Sequence, residues 1–307
     1  MKQSLIWLAG LCACSLAAPA LAGTWANTQL CWGSDGTEDG MFSACTINYD
    51  PLTGSAASTV SQTLPNPDGS SPDQYFLGQA SATATADTWR VSTSLLLENY
   101  RRDNYIWTLH EDGSMGAATT AYAAASTTDT VTISGGTGVY SLQYILSVDG
   151  LLGSSDTSLM SASFCASLYI PGGTGVASFS CFGTGQATPS SITLSYADLP
   201  FGGPITPTIT ISVNNFVTAI NAEDVGTPLG DSTISVSGYA EFGSTVHLAS
   251  LLVTDAAGNV IPGLSIDSDS GFSYPLDPQN TAPVPEPASL WLLSGGLVWL
   301  LARRRFS

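Results

Sequence analysis

The side chains that could do chemistry are few and scattered. His110 and His247 are the only imidazoles in the chain. Nucleophilic hydrolysis needs such a base beside a serine on a strained turn, and no Gly-x-Ser-x-Gly occurs. His110 precedes Glu111 and Asp112, but neighbours on a strand point to opposite faces, so the three diverge into solvent rather than converge. His247 reads as a strand residue beside an apolar core. The carboxylates are scattered at turns, where Asp is favoured for local hydrogen bonding, and position alone explains them without a pair for glycoside hydrolysis. No enzyme is expected. Two acidic groups on glycine-bearing loops offer oxygen ligands to a hard cation: Asp35, Glu38 and Asp39, and Asp267 with Asp269 before Gly271. Neither has the length or spacing of a calcium loop. No cofactor or metal is therefore expected, with calcium as the minority reading. Tyr100, Tyr105 and Trp107 beside Arg101 and Arg102 would make a sugar-stacking face or, as the favoured expectation, part of the core.

Cysteine chemistry is more informative. Cys12 and Cys14 fall in an N-terminal apolar segment, leaving Cys31, Cys45, Cys165 and Cys181. Cys165 and Cys181 are equidistant from Gly173 in a stretch whose Pro171 to Gly175 makes a turn between apolar runs, so a hairpin sets them face to face. Cys31 and Cys45 likewise flank a polar loop of Ser34 to Gly40. The expected disulfides are Cys31 with Cys45 and Cys165 with Cys181. A tetrathiolate zinc site would need closer cysteine pairs and a reducing compartment.

Both chain ends carry addresses. Lys2, an apolar core from Leu5 to Leu16, and Ala20-Leu21-Ala22 before Gly23 form a signal peptide cleaved between Ala22 and Gly23. A lipoprotein site at Cys14 is the weaker alternative. At the other end lie Pro285-Glu286-Pro287, an apolar run from Ala288 to Ala302, and Arg303, Arg304 and Arg305. The two prolines stiffen the chain and present Glu286 in an extended form. The run of 15 residues reaches about 22 Å as a helix at roughly 1.5 Å per residue, short of the ~30 Å hydrocarbon core. Trp291 and Trp299 suit its interfaces, and the arginines act as a cytoplasmic stop. A motif, a marginal span and a basic brake suit a temporary tether.

This arrangement resembles the PEP-CTERM sorting signal of Gram-negative bacteria. The resemblance covers about 22 residues, from Val284 to Arg305. It implies Sec export, an inner-membrane intermediate held by helix 288–302, and processing by an exosortase, often in cells that make exopolysaccharide. The final location is then the cell surface or the extracellular space.

Charge agrees with export. Of the 24 acids only Glu286 lies outside Gly23 to Val284, and the bases inside are Arg90, Arg101 and Arg102, which leaves a net charge near −20 on that span. Such a surface repels nucleic acid and anionic lipid. No nucleic-acid partner is expected.

The elements between these ends read as strands. Thr88 to Leu97 and Glu98 to His110 read as a hairpin turning at Arg101 to Asn104. Ala117 to Ser126 reads as a strand despite its alanines, because it continues into TTDTVTIS with Val131 and Ile133 alternating. Tyr140, Leu142, Tyr144 and Leu146 share one face of a strand ended by Asp149-Gly150. Leu199 to Pro207, with three prolines and two glycines, is the best internal boundary. Short strands, many glycines and few charges point to an all-β, antiparallel β-sandwich ectodomain, one large sandwich or two smaller ones. The organisation expected is a signal peptide over 1–22, an ectodomain over 23–199, a second β region or continuation of the sandwich over 200–283, and the sorting signal over 284–307. Two diffuse segments, Ala121 to Gly150 and Ser244 to Gly271, are similar to exported domains commonly attached to PEP-CTERM signals, a likeness that implies no defined biochemistry. The expected function is that of a non-enzymatic, exported surface or matrix protein in biofilm. The alternative is a carbohydrate-binding module associated with exopolysaccharide.

Overall fold

A computed structural model describes residues 23–32, 44–51, 54–64, 74–101, 119–157, 160–172, 178–217 and 233–280. In chain order the strands are β1 (Gly23–Trp32), β2 (Ala44–Asp50), β3 (Ser55–Leu64), β4 (Gln74–Ala84), β5 (Thr88–Arg101), β6 (Thr119–Thr128), β7 (Val131–Ser134) and β8 (Val139–Ser154). They continue with β9 (Met160–Tyr169), β10 (Ser178–Gly183), β11 (Ser191–Pro200), β12 (Pro204–Ile205), β13 (Thr208–Val217), β14 (Thr233–Asp255) and β15 (Ser265–Ser268). One six-stranded sheet has the order β10-β9-β13-β6-β1-β2, the other β11-β8-β14-β5-β4-β3, and β12-β7-β15 form a small third sheet. Every pairing between these strands is antiparallel.

Period-two alternation explains how the large sheets come together. On β8, Tyr140, Leu142, Tyr144, Leu146 and Val148 are buried while the residues between them are half-buried. Facing strands repeat the pattern, with Ile209, Ile211 and Val213 on β13 and Phe164, Ala166 and Leu168 on β9. Their inner faces meet as a β-sandwich. The layers are locked by Phe164 of one sheet against Phe242 of the other, with ring centroids 4.3 Å apart. The alanine-rich β6 buries Ala121, Ala123 and Ala125 completely, and it packs against β4 and β5, which carry the bulkier Phe76, Trp89 and Leu95. Small residues facing large ones let the layers interdigitate.

The segments on either side of Leu199 to Pro207 interleave. β13 lies between β9 and β6, and β14 between β8 and β5, so strands from both sides share one continuous core.

Three local expectations are corrected. β5 runs unbroken through Glu98 to Arg101, because Tyr100 and Arg101 still pair with β14. β8 does not end at Asp149-Gly150 but pairs with β14 as far as Ser154. Its glycines make room: a Cβ on Gly150 would fall 2.2 Å from the Phe242 ring, and one on Gly153 would fall 2.5 Å from the Tyr239 ring. The stretch TTDTVTIS is two strands in different sheets, broken at Asp129, whose amide donates to Pro207 O. Residues 233–255 form one bent strand, whose register shifts let it follow both β5 and β8.

Candidate functional site

At one end of the sandwich a cavity of about 280 Å³ opens between the first residues of β1, the start of β5, the end of β6, and the arm that follows β15. Trp89, Tyr144, Asp129 and Tyr274 are its principal side chains, with Thr24 and Thr127 beside them and Ile209 and Leu248 supplying apolar wall.

Asp129 organises this end. It sits where β6 stops and is almost fully buried. Its Oδ2 accepts from Ser268 Oγ at 2.6 Å, Ser270 Oγ at 2.7 Å and the Tyr274 hydroxyl at 2.9 Å. Its Oδ1 accepts from the amides of Thr130 at 2.8 Å and Ser270 at 3.3 Å. Such a density of donors offsets the cost of burying a carboxyl group. The network straps the arm over 268–274 across the end of the sheets.

Trp89 and Tyr144 are buried, 0% and 1% exposed, yet neither the Trp89 Nε1–H nor the Tyr144 hydroxyl meets a hydrogen-bond partner. Burial raises the Tyr144 pKa well above its usual value, and Tyr274, Tyr140 and Asp129 add to the shift. Tyr274 is also shifted upward, first by burial and then by the Asp129 charge and hydrogen bond. Both phenols stay protonated at neutral pH. With its carboxylate saturated and its phenols neutral, the cavity carries no free general base among the described residues.

Other predicted site residues fall elsewhere. Cys165 and Cys181 form a disulfide, with Cα atoms 4.2 Å apart, across the β9–β10 hairpin. The backbone register of β1 and β2 sets Cys31 directly opposite Cys45. Asp267 and Asp269 are exposed, one on β15 and the other just beyond it. Among the described residues no three His, Cys, Asp or Glu side chains converge on a metal position. His247 is exposed on β14, between buried Val246 and Leu248. Gly23 lines the cavity, while its predicted cleavage partner Ala22 lies outside the described residues.

The same is true of Asp35, Glu38, Asp39, Arg102, Tyr105, Trp107 and His110, and of the tail motif Pro285, Glu286, Pro287 with Arg303, Arg304 and Arg305. Among the described residues no helix is long and apolar enough to cross a membrane, and helix 288–302 falls outside them.

Trp89 and Tyr274 carried no signal as functional residues in the sequence, and Tyr144 stood out only as one of four large side chains on a strand face. The one available hint was Asp129 itself, an acid inside a Thr-rich strand stretch.

No protein-family model matches the chain, and no curated protein matches it. One solved structure overlaps 74% of this chain and 84% of its own, at 6% identity and a TM-score of 0.16. It is described as "Structural basis for the promiscuous specificity of the carbohydrate-binding modules from the beta-sandwich super family". At that TM-score the likeness carries no argument about fold or ligand.

Proposed function

We propose that this chain is an exported, non-enzymatic surface or extracellular-matrix protein, delivered through Sec and sorted by its Pro-Glu-Pro tail. The structural observation that supports export most is the Cys165–Cys181 disulfide, since such bonds persist in oxidising compartments and are rare in the cytosol. The sandwich suits the role: it is a disulfide-stapled antiparallel body with a strongly acidic surface, which resists aggregation outside the cell. The tail supplies the address. Pro285-Glu286-Pro287 begins only five residues after Asn280, the last described residue, so the processing enzyme meets its motif close to a folded body.

The test is to express the parent, Glu286→Ala and a deletion of residues 303–305 in cells that make an exosortase, and to read each mature C-terminus by mass spectrometry. The parent should lose its apolar tail, and the variants should retain it. An intact tail on the parent in such cells would overturn the sorting reading.

A further inference from the structure

The edge strands of the two large sheets are not built alike. An edge presents a row of unpaired N–H and C=O groups, and natural sheets blunt it by shortness, charge, proline or a bulge. At one flank of the sandwich lie β10 and β11. β10 is six residues long and stapled to β9 by the Cys165–Cys181 disulfide. β11 breaks register between Tyr196 and Leu199, turns through Asp198 at a φ of 58°, and ends on Pro200. That flank is closed to a further strand.

The other flank, β2 beside β3, has neither a bulge nor a proline within its strands. Among the described residues β2 pairs with β1 alone and β3 with β4 alone, each in unbroken register. On β2, Thr46, Ile47, Asn48 and Tyr49 are all exposed, and the large side chains of Ile47 and Tyr49 are 61% and 56% open. Tyr49 leans on Trp25 of β1, with ring centroids 6.0 Å apart, and Asn48 Nδ2 donates to Ala57 O of β3 at 2.9 Å. The strand is therefore held in place while its apolar side chains stay open.

Charge and symmetry select the occupant. Gly23 to Val284 carries a net charge near −20, so most of this surface repels a second copy. Asp50 is the single charged residue of β1 to β4, and two copies meeting at this flank bring few like charges together. A cationic partner would choose the acidic surfaces instead. β2 is also self-complementary. In an antiparallel pairing about a twofold axis at Asn48, Ile47 of each copy stands opposite Tyr49 of the other, and Asp50 stands opposite Thr46. Aromatic and β-branched residues directly opposite each other form a favourable cross-strand pair, and the two Asp50 carboxylates fall at opposite ends of the seam.

We propose that this chain forms a closed twofold dimer through that flank, β2 against β2, joining two six-stranded sheets into one. Because the β10–β11 flank is closed, growth stops at two copies. The dimer goes beyond the sorting reading and does not rest on it, since a chain whose tail is never cut keeps the same edge.

The test uses the protein as its host exports it, with its C-terminus read by mass and detergent added where the tail is retained. Sedimentation velocity from about 1 μM to about 1 mM should show monomer and dimer in equilibrium and no larger species. Added salt should tighten the dimer, because it screens the repulsion between two acidic bodies. Ile47→Glu sets a new carboxylate in each half of the seam. At so exposed a position it should leave the melting temperature of the monomer unchanged while weakening the dimer at least about tenfold. Hydrogen exchange over Thr46 to Tyr49 should slow in the parent as concentration rises, and stay fast in the variant.

A parent that remains monomeric, one that grows beyond two copies, or an Ile47→Glu variant that dimerises as well as the parent overturns the proposal. So does concentration-dependent protection confined to strands outside β2 and β3. Should the variant fail to fold, the exchange pattern of the parent decides alone. The state of the tail, read separately by mass, changes none of these outcomes.

Discussion

Asp129 and Tyr274, 145 residues apart in sequence, are joined by a 2.9 Å hydrogen bond from the phenol to the carboxylate. That bond, with those from Ser268 and Ser270, closes the arm over the end of the sandwich. Asp129→Ala would leave three hydroxyls and the amides of Thr130 and Ser270 without their acceptor at a nearly buried position. The expected loss is about 3 kcal/mol, which lowers the melting temperature of a domain this size by about 8 °C. Asp129→Asn keeps one acceptor oxygen and should lose less. Thermal unfolding of the two variants checks the order, and equal stability of all three proteins would contradict the strap.

That strap also shows where the sequence was legible and where it was not. Tyr140, Leu142, Tyr144 and Leu146 announced a buried strand face, because large apolar residues at period two have no other economical explanation. The β9–β10 disulfide was readable for a related reason: two cysteines equidistant from a turn meet in any regular hairpin. The role of Asp129 was not readable, since its partners Ser268, Ser270 and Tyr274 arrive from about 140 residues further on. Nor was the passage of β8 through Gly150. Glycine there signals a turn locally, but in the fold it clears space for Phe242, a residue whose placement depends on β14. Patterns confined to one strand or hairpin survive in sequence, whereas sites assembled across the sheets do not.

The Cys165–Cys181 bond should carry measurable stability. It closes a loop with a sequence separation of 16, and constraining the unfolded chain over a loop of about 15 residues contributes about 3 kcal/mol in the chain-entropy model. A Cys165→Ser, Cys181→Ser double variant should therefore melt about 8 °C lower than the parent under oxidising conditions. A reductant should narrow the gap, because it opens the parent's bond and finds none in the variant. A parent whose melting temperature equals that of the variant before reduction would show that the bond adds nothing.

Alkaline stability follows from the buried phenols. Tyr140 is raised by burial from 10.0 to about 12, and Tyr144 and Tyr274 are shifted in the same direction. Below pH 10 these phenols are protonated in folded and unfolded chains alike, and stability is at its full value. As pH rises from 10 towards 12 the unfolded chain releases these protons while the folded chain keeps them, so the unfolded state binds fewer protons and stability falls. Denaturant midpoints should decline across that window, and Tyr140→Phe should flatten the decline. Native tyrosines that all ionise near 10, read by ultraviolet absorbance, would remove the effect.

Asn280, the last described residue, is held tightly against the sandwich. Fully buried, it donates from Nδ2 to the carbonyls of Val253 and Ile261, both at 2.7 Å, and accepts at Oδ1 from the Val253 amide at 2.9 Å. The amide thus pairs with Val253 of β14 as a neighbouring strand would, and Leu264 N donates to the Asn280 carbonyl. Asn280→Ala removes three side-chain bonds and strands the Val253 amide, with an expected cost of about 3 kcal/mol. The damage should be local at first. Hydrogen exchange at the Val253 amide should accelerate sharply, while amides of the β8–β11 ladder such as Leu146 and Tyr144 keep their protection relative to the global limit. The consequence reaches the tail, because only four residues separate Asn280 from Pro285, a reach of at most about 17 Å over the five Cα steps. Releasing the staple lengthens that tether, so where the parent tail is processed, Asn280→Ala should be cut at least as fast. Slower cutting by a still-folded variant would mean that the enzyme reads the docked end of the sandwich as well as the motif.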